Sequence, residues 1–427
     1  MNTILLAHDY FGPDGPQINN KTHMDRDIIS ITYFKSLGSF EPFPSILIKE
    51  NEYFIYEILL TFLEDEWIIQ KHIDLLGTTS ISNKTLDNIR YKNGYLLLNL
   101  ATESITHSHF SVFDKIHNFC REENIKPAKV ILQLGNIEAL EIYKDYCLKN
   151  NINNEDKTEL LNICPIEYFE FHTSFLMLHE VKPRKNINFN NIRKTFLCFN
   201  RFYRFHRINL TLLFYKLNLL KDSYFSMPEK CVWVPEVKFK DSILINDIYI
   251  KKYNISENDI NEVQNLLPLT IDTSNFFDKI ATHTIWGLSD YFDSSLISIV
   301  TETNFETGAI FNTEKIFRPI ANRHPFIVAG PKGTIAHLKD LGYKTFSAYW
   351  DESYDDIEDP IERLDAIANL CTSINNWTTE RKKLFFYESM RETNHNYKLL
   401  ESISKENIAG RNKFWHYFKN QVRSEIK

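Results

Sequence analysis

Two groups of charged residues in this chain have the chemistry to hold an anion. Arg201, Arg204, His206 and Arg207 follow the apolar run Lys194-Thr195-Phe196-Leu197-Cys198-Phe199-Asn200. Glu314 and Lys315 follow a second apolar run, Leu296-Ile297-Ser298-Ile299-Val300, after a polar stretch carrying Glu302 and Glu306. An arginine holds phosphate oxygens with two parallel N–H donors, whereas lysine acts as a point charge. A helix N-terminus adds backbone donors to the same anion. Glu314 has the wrong charge for phosphate but accepts hydrogen bonds from the paired hydroxyls of a ribose. The same residues also fit a plainer reading, with Glu314 and Lys315 on the solvated face of a helix starting near Thr313, and the arginines a solvated patch.

The first half offers carboxylates. Glu103 follows the apolar run Tyr95–Leu100, and Asp9 follows Ile4-Leu5-Leu6-Ala7 and His8. A carboxylate at a strand end can take the proton of an acceptor hydroxyl when burial raises its pKa. An acidic residue at a helix start, or a polar strand-end turn, accounts for the same positions. His107 and His109 would share a face of a strand, with His117 nearby, but no third ligand stands at a recognisable metal spacing. There is no Walker loop, GxGxxG fingerprint or HExxH motif.

These residues need a frame that brings strand ends together. Short apolar runs at Ile4–Ala7, Tyr95–Leu100, Lys129–Leu134, Lys194–Asn200, Leu296–Val300 and Pro325–Ala329 read as buried strands. Helices are expected over Ile137–Asn150, Ile208–Leu219, Thr334–Leu341 (capped by Thr334) and Ile361–Trp377. Lys344–Phe346 reads as a further strand, and the Ile55, Ile58 and Leu59 spacing within Glu50–His72 reads as helical. Alternation at this spacing is α/β architecture with parallel sheets, which bind ligands beyond the carboxyl ends of their strands. The polar, proline-containing stretch Lys182–Asn191 is the expected domain junction. That gives one domain over 1–185, a second over 186–375 and a C-terminal helical extension over 376–427. The acidic stretch Asp351–Pro360 reads as a solvent-facing loop.

A chain of 427 residues with 43% hydrophobic and 14% aromatic residues buries a large core in about two domains. Its net charge of -7 argues against a general nucleic-acid surface. The six cysteines form no close CxxC pair, the pattern of reduced, buried thiols in a cytoplasmic protein. No run reaches the roughly 18 apolar residues of a membrane span, which leaves peripheral membrane association open.

The segment FNTEKIFRPIANRHPFIVAG, Phe311 to Gly330, resembles the donor-binding region of GT-B glycosyltransferases, especially the fucosyltransferase-like group. That group carries a Thr-Glu-Lys signature followed by an apolar strand, matched by Thr313-Glu314-Lys315 and Phe326-Ile327-Val328. The resemblance implies two Rossmann-like domains facing across a cleft, the second holding a nucleotide sugar. It assigns Glu314 to the ribose, Lys315 to phosphate, and Arg207 with Arg204 to the basic group after the first strand of that domain. The expected chemistry is transfer of a sugar from a nucleotide diphosphate donor, GDP-linked in that group, to a glycan or related hydroxyl. A single displacement would invert the anomeric centre, with Glu103 as base and Asp9 in reserve, and without a metal, since no DxD-like signal accompanies the site. The alternative is a nucleotide- or glycan-binding module that performs no transfer.

Overall fold

The computed structural model describes residues 83–100, 110–152, 157–165, 188–230, 238–242, 247–269, 289–306 and 309–405. It adds the strand segments at 4–8, 11–12, 15–16, 40–44 and 54–59 and a few single positions. Contacts divide the chain into two units, Met1–Tyr168 with Lys405–Lys427, and Phe169–Ser404.

In the first unit six strands form one sheet: β1 (Ile4–His8), β2 (Phe40–Pro44), β3 (Phe54–Leu59), β4 (Gly94–Leu100), β5 (Val130–Leu134) and β6 (Asn162–Pro165). Their order is β2-β1-β3-β4-β5-β6, and every pairing is parallel. Helices α1 (Asn83–Tyr91), α2 (Phe110–Glu122) and α3 (Ala139–Lys149) belong to the same unit. All five residues of β5 are buried, as expected of a parallel strand covered on both faces. Phe54–Leu59 is a strand where the spacing of Ile55, Ile58 and Leu59 reads as helical. Parallel partners on both sides decide the matter, and a run of Phe, Ile and Tyr suits that central position.

The second unit repeats the plan with four strands: β7 (Lys194–Phe199), β8 (Ser223–Ser226), β9 (Ser295–Thr301) and β10 (Phe326–Ala329). The order is β8-β7-β9-β10, again all parallel. Both units are therefore Rossmann-like α/β, and in each the strand order reverses beside the first strand. That reversal, between β7 and β9 here, is where such sheets bind their ligands.

Around the second sheet lie α4 (Phe205–Lys216), α5 (Glu257–Leu266), α6 (Glu314–Ala321), α7 (Thr334–Asp340), α8 (Pro360–Asn375), α9 (Thr379–Glu388) and α10 (Met390–Lys405). Positions 206 to 214 of α4 are all buried, so this helix is enclosed on every side, with α8 packed against it. All seven residues of β9 are buried as well. Full burial of each Ile, Leu, Val or Phe in this core contributes roughly 1.5–3 kcal/mol.

Lys344–Phe346 lies outside the sheet. Side chains satisfy its backbone instead: Asn396 bonds the N–H and C=O of Lys344 at 2.7 and 2.8 Å, and Glu352 accepts the Phe346 N–H at 2.7 Å. The acidic stretch after Trp350 faces solvent at Asp351, Asp356, Glu358 and Asp359, but Glu352 and Asp355 are turned inward. Buried Asp355 accepts from Ile335 N and Ala336 N, both at 3.0 Å, and so caps α7 in place of Thr334. Gly333 makes the turn into that helix at φ +82, a conformation that favours glycine. Among the described residues no helix is long and apolar enough to cross a membrane.

Candidate functional site

The loops leaving β7 and β9 both carry charge, and each is built from the sheet outward. Asn200, directly after β7, accepts from the Thr301 hydroxyl at 2.7 Å and so ties the two strand ends together. The next turn delivers Arg201 and Arg204, and Arg204 is the residue at which α4 begins. Both are half-buried.

Arg207 stands one turn further on and is 2% exposed. Its guanidinium donates to Thr301 O and Glu302 O at 3.0 Å each, and to Phe202 O at 3.3 Å. Burial lowers its pKa to about 10, the neighbouring Arg204 assisting, so it stays charged near neutral pH. In this arrangement Arg207 fixes the end of β9. His206 does the same from the adjacent position. Its Nε2 lies 3.0 Å from Glu302 O, a carbonyl that only accepts, so the proton sits on Nε2. The ring stacks on Phe305 at 4.8 Å, and burial pulls its pKa down to about 4. Glu306 lies 3.8 Å from Nδ1, too far for a hydrogen bond.

The loop between β9 and α6 is thus clamped from below. Arg363 of α8 adds a third hold, donating to Phe305 O and stacking its guanidinium 4.6 Å from the Phe305 ring. Glu302 is fully buried, and its carboxylate accepts from Thr313 N at 3.2 Å and from Thr313 Oγ1 at 2.5 Å. Burial raises its pKa, with Lys315 and Thr313 opposing.

Thr313 caps α6, its hydroxyl accepting from Lys315 N at 3.3 Å. Lys315 Nζ donates to Thr313 Oγ1 at 3.1 Å, Thr303 Oγ1 at 3.2 Å and Glu314 Oε1 at 3.0 Å. Burial works to raise the pKa of Glu314, but Lys315 and then Arg318 outweigh it and hold the carboxyl down at about 2. The Lys315 and Glu314 side chains remain 28% and 33% exposed, so solvent and a competing anion can reach the pair. Arg318, one turn along α6, has an Nε with no hydrogen-bond partner among the described residues. Lys315 and Arg318 line a cavity of about 30 Å³ together with Phe199, Thr301 and Pro319, at the β7–β9 reversal.

The structure therefore gathers Glu314 and Lys315 at the start of α6, and sets Arg207 beneath the same loop. Arg204 reaches the neighbourhood electrostatically, acting on Arg207 and Glu306. Glu103, Asp9, His107 and His109 lie outside the described residues. His117 hydrogen-bonds Tyr143 at 3.0 Å and lies against the Tyr143 and Tyr146 rings, a packing role. Sequence reasoning passed over Glu302, Thr313 and Arg318 as participants. Arg318 was within reach of it, since positions 314, 315 and 318 share one helical face.

No protein-family model matches the chain, and neither does any curated protein sequence. Solved structures do show a likeness. An α,α-trehalose-phosphate synthase (UDP-forming) from Burkholderia vietnamiensis aligns over 93% of this chain and 81% of its own, at 9% identity and a TM-score of 0.40. A trehalose-6-phosphate synthase studied for glycosyl transfer with retention aligns over 94% and 81%, at 11% identity and 0.43. A glycosyltransferase from Rickettsia africae ESF-5 aligns over 96% and 98%, at 12% identity and 0.38. At such identities and scores the likeness bears on neither donor nor acceptor. Those rest on the chemistry of the site.

Proposed function

We propose that the chain is a glycosyltransferase that takes a sugar from a nucleoside diphosphate donor to a hydroxyl acceptor. The observation that carries this reading is the pairing of opposite charges at the β7–β9 reversal. Lys315 and Arg318 supply cations and Glu314 an ionised carboxylate on one face of α6, next to a cavity at the strand ends. A nucleoside diphosphate needs both: cations for its phosphates and an acceptor for its ribose hydroxyls. Donor binding opens the Lys315–Glu314 pair, turning Lys315 to phosphate and Glu314 to ribose. Arg204 adds charge from the loop after β7, and Arg207 keeps that loop and the end of β9 in register.

In the transfer step the bond from the anomeric carbon to the diphosphate oxygen breaks. A bond from the acceptor oxygen to that carbon forms, and the acceptor proton passes to a base. Cations at the leaving group stabilise the charge that develops on it. Glu103, and after it Asp9, are the carboxylates we assign to the base. Single displacement with inversion is the course we assign, on a glycan or related hydroxyl and without a metal.

The test is release of nucleoside diphosphate from GDP-fucose and from other GDP- and UDP-linked sugars across a panel of sugar and sugar-phosphate acceptors. The resemblance of Phe311–Gly330 puts GDP-linked donors first and leaves the sugar open. Turnover that disappears in Lys315→Ala supports the reading, and the anomer of the product, read by NMR, decides the stereochemistry. Nucleotide binding without turnover across the panel would instead mark a non-catalytic module.

A further inference from the structure

We infer that Glu302 is the positioning residue for Lys315: acting through the Thr313 hydroxyl, it fixes where the lysine ammonium meets a bound diphosphate. The inference rests on the phosphate role proposed for Lys315.

The argument is one of hydrogen-bond polarity. A hydroxyl has one proton to give and two lone pairs to receive with, while an ammonium and a backbone N–H can only give. Lys315 gives to Thr313 Oγ1 from both, so the Thr313 proton goes to buried Glu302, whose Oε2 lies at 2.5 Å. The lone pairs of Thr313 Oγ1 are left facing the other way. Both are used by Lys315, one by its backbone N–H and one by its ammonium at 3.1 Å. Thr303, beside Glu302 in the chain, gives the ammonium another acceptor at 3.2 Å. When Glu314 leaves Lys315 for a ribose, these two hydroxyls are what remain to aim it.

The anchor itself is held on three sides. Glu302 N donates to Ala329 O at 2.9 Å in β10, while Glu302 O accepts from His206 and from Arg207, each at 3.0 Å. A residue gripped by β10 and a buried helix transmits its position to α6 with little slack. Replacing its carboxylate by an amide keeps the shape but supplies a donor. The Thr313 hydroxyl can then reverse and present its proton to the ammonium.

The test is calorimetric titration of UDP and GDP into the full chain, the Glu302→Gln, Thr313→Val, Thr313→Ser and Lys315→Ala variants, and the Glu302→Gln/Lys315→Ala double variant. Glu302→Gln and Thr313→Val should each weaken binding about tenfold or more, the scale of one hydrogen bond to a charged group. Thr313→Ser, which keeps the hydroxyl, should bind as the unaltered chain does. The double variant should bind no more weakly than Lys315→Ala alone, because Glu302 acts only through that lysine. A merely structural role would give losses that add. Should Glu302→Gln not fold, the two Thr313 variants carry the same test. Binding unchanged in Glu302→Gln or Thr313→Val while Lys315→Ala loses it, or additive losses in the double variant, would overturn the inference alone. A chain that binds neither nucleotide, or a Lys315→Ala variant that binds both normally, would overturn the phosphate role and this inference with it.

Discussion

Lowering the pH from 7 to 4 should remove about 3 kcal/mol of stability from this chain that a His206→Gln variant does not lose. His206 is fully buried against Phe305, and its proton on Nε2 is given to Glu302 O. Taking a second proton on Nδ1 would place a charge in that enclosure, beside the Arg207 guanidinium. Burial and that neighbour keep the folded-state pKa near 4, against an ordinary 6.5. Between those values the unfolded chain binds the proton and the folded chain does not, so stability is full above 6.5 and falls as the pH drops toward 4. The gap corresponds to about 3 kcal/mol at 1.36 kcal/mol per pH decade. Glu306, 3.8 Å from Nδ1, favours the protonated ring, and the value near 4 already includes its pull. The assay is urea unfolding at half-unit pH steps on both chains, read as the difference between the two curves. Carboxylates titrating over the same range are common to both and cancel. Parallel curves would show that His206 is not held neutral by its surroundings and would refute the reasoning.

Two further perturbations probe the frame around the site. Arg207→Met leaves the carbonyls of Thr301 and Phe202 without this donor, and should cost about 2–4 kcal/mol, seen as a lower urea midpoint with unchanged slope. Asp355→Ala uncovers the N–H groups of Ile335 and Ala336 at the start of α7, and should cost about 1–2 kcal/mol in the same assay.

Much of the frame was legible because parallel strands covered on both faces are written as near-continuous apolar runs. Leu296–Val300 and Val130–Leu134 are such runs, and both are fully buried strands. The failures arise where a local pattern fits two structures. Ile55, Ile58 and Leu59 suit a helix face or a central strand, and only partners distant in sequence choose between them. Lys344–Phe346 has a strand's composition, but Asn396 and Glu352 claim its backbone.

The site divides in the same way. Glu314 and Lys315 are neighbours in the chain, so their pairing could be read directly. What Arg207 holds could not be, because Thr301 and Glu302 lie 94 and 95 positions away. An arginine after a strand looks the same in sequence whether it faces a phosphate or grips a carbonyl. Glu302 was visible as an acid closing a buried strand, yet its partner Thr313 is reached only through the loop that the arginine secures.

The most direct test of the account is a crystal structure of the chain with a bound nucleoside diphosphate. The account predicts a phosphate oxygen within hydrogen-bond reach of Lys315 Nζ, ribose hydroxyls on the Glu314 carboxylate, and the Lys315–Glu314 pair opened. A nucleotide seated away from the start of α6, with that pair still closed, would contradict it.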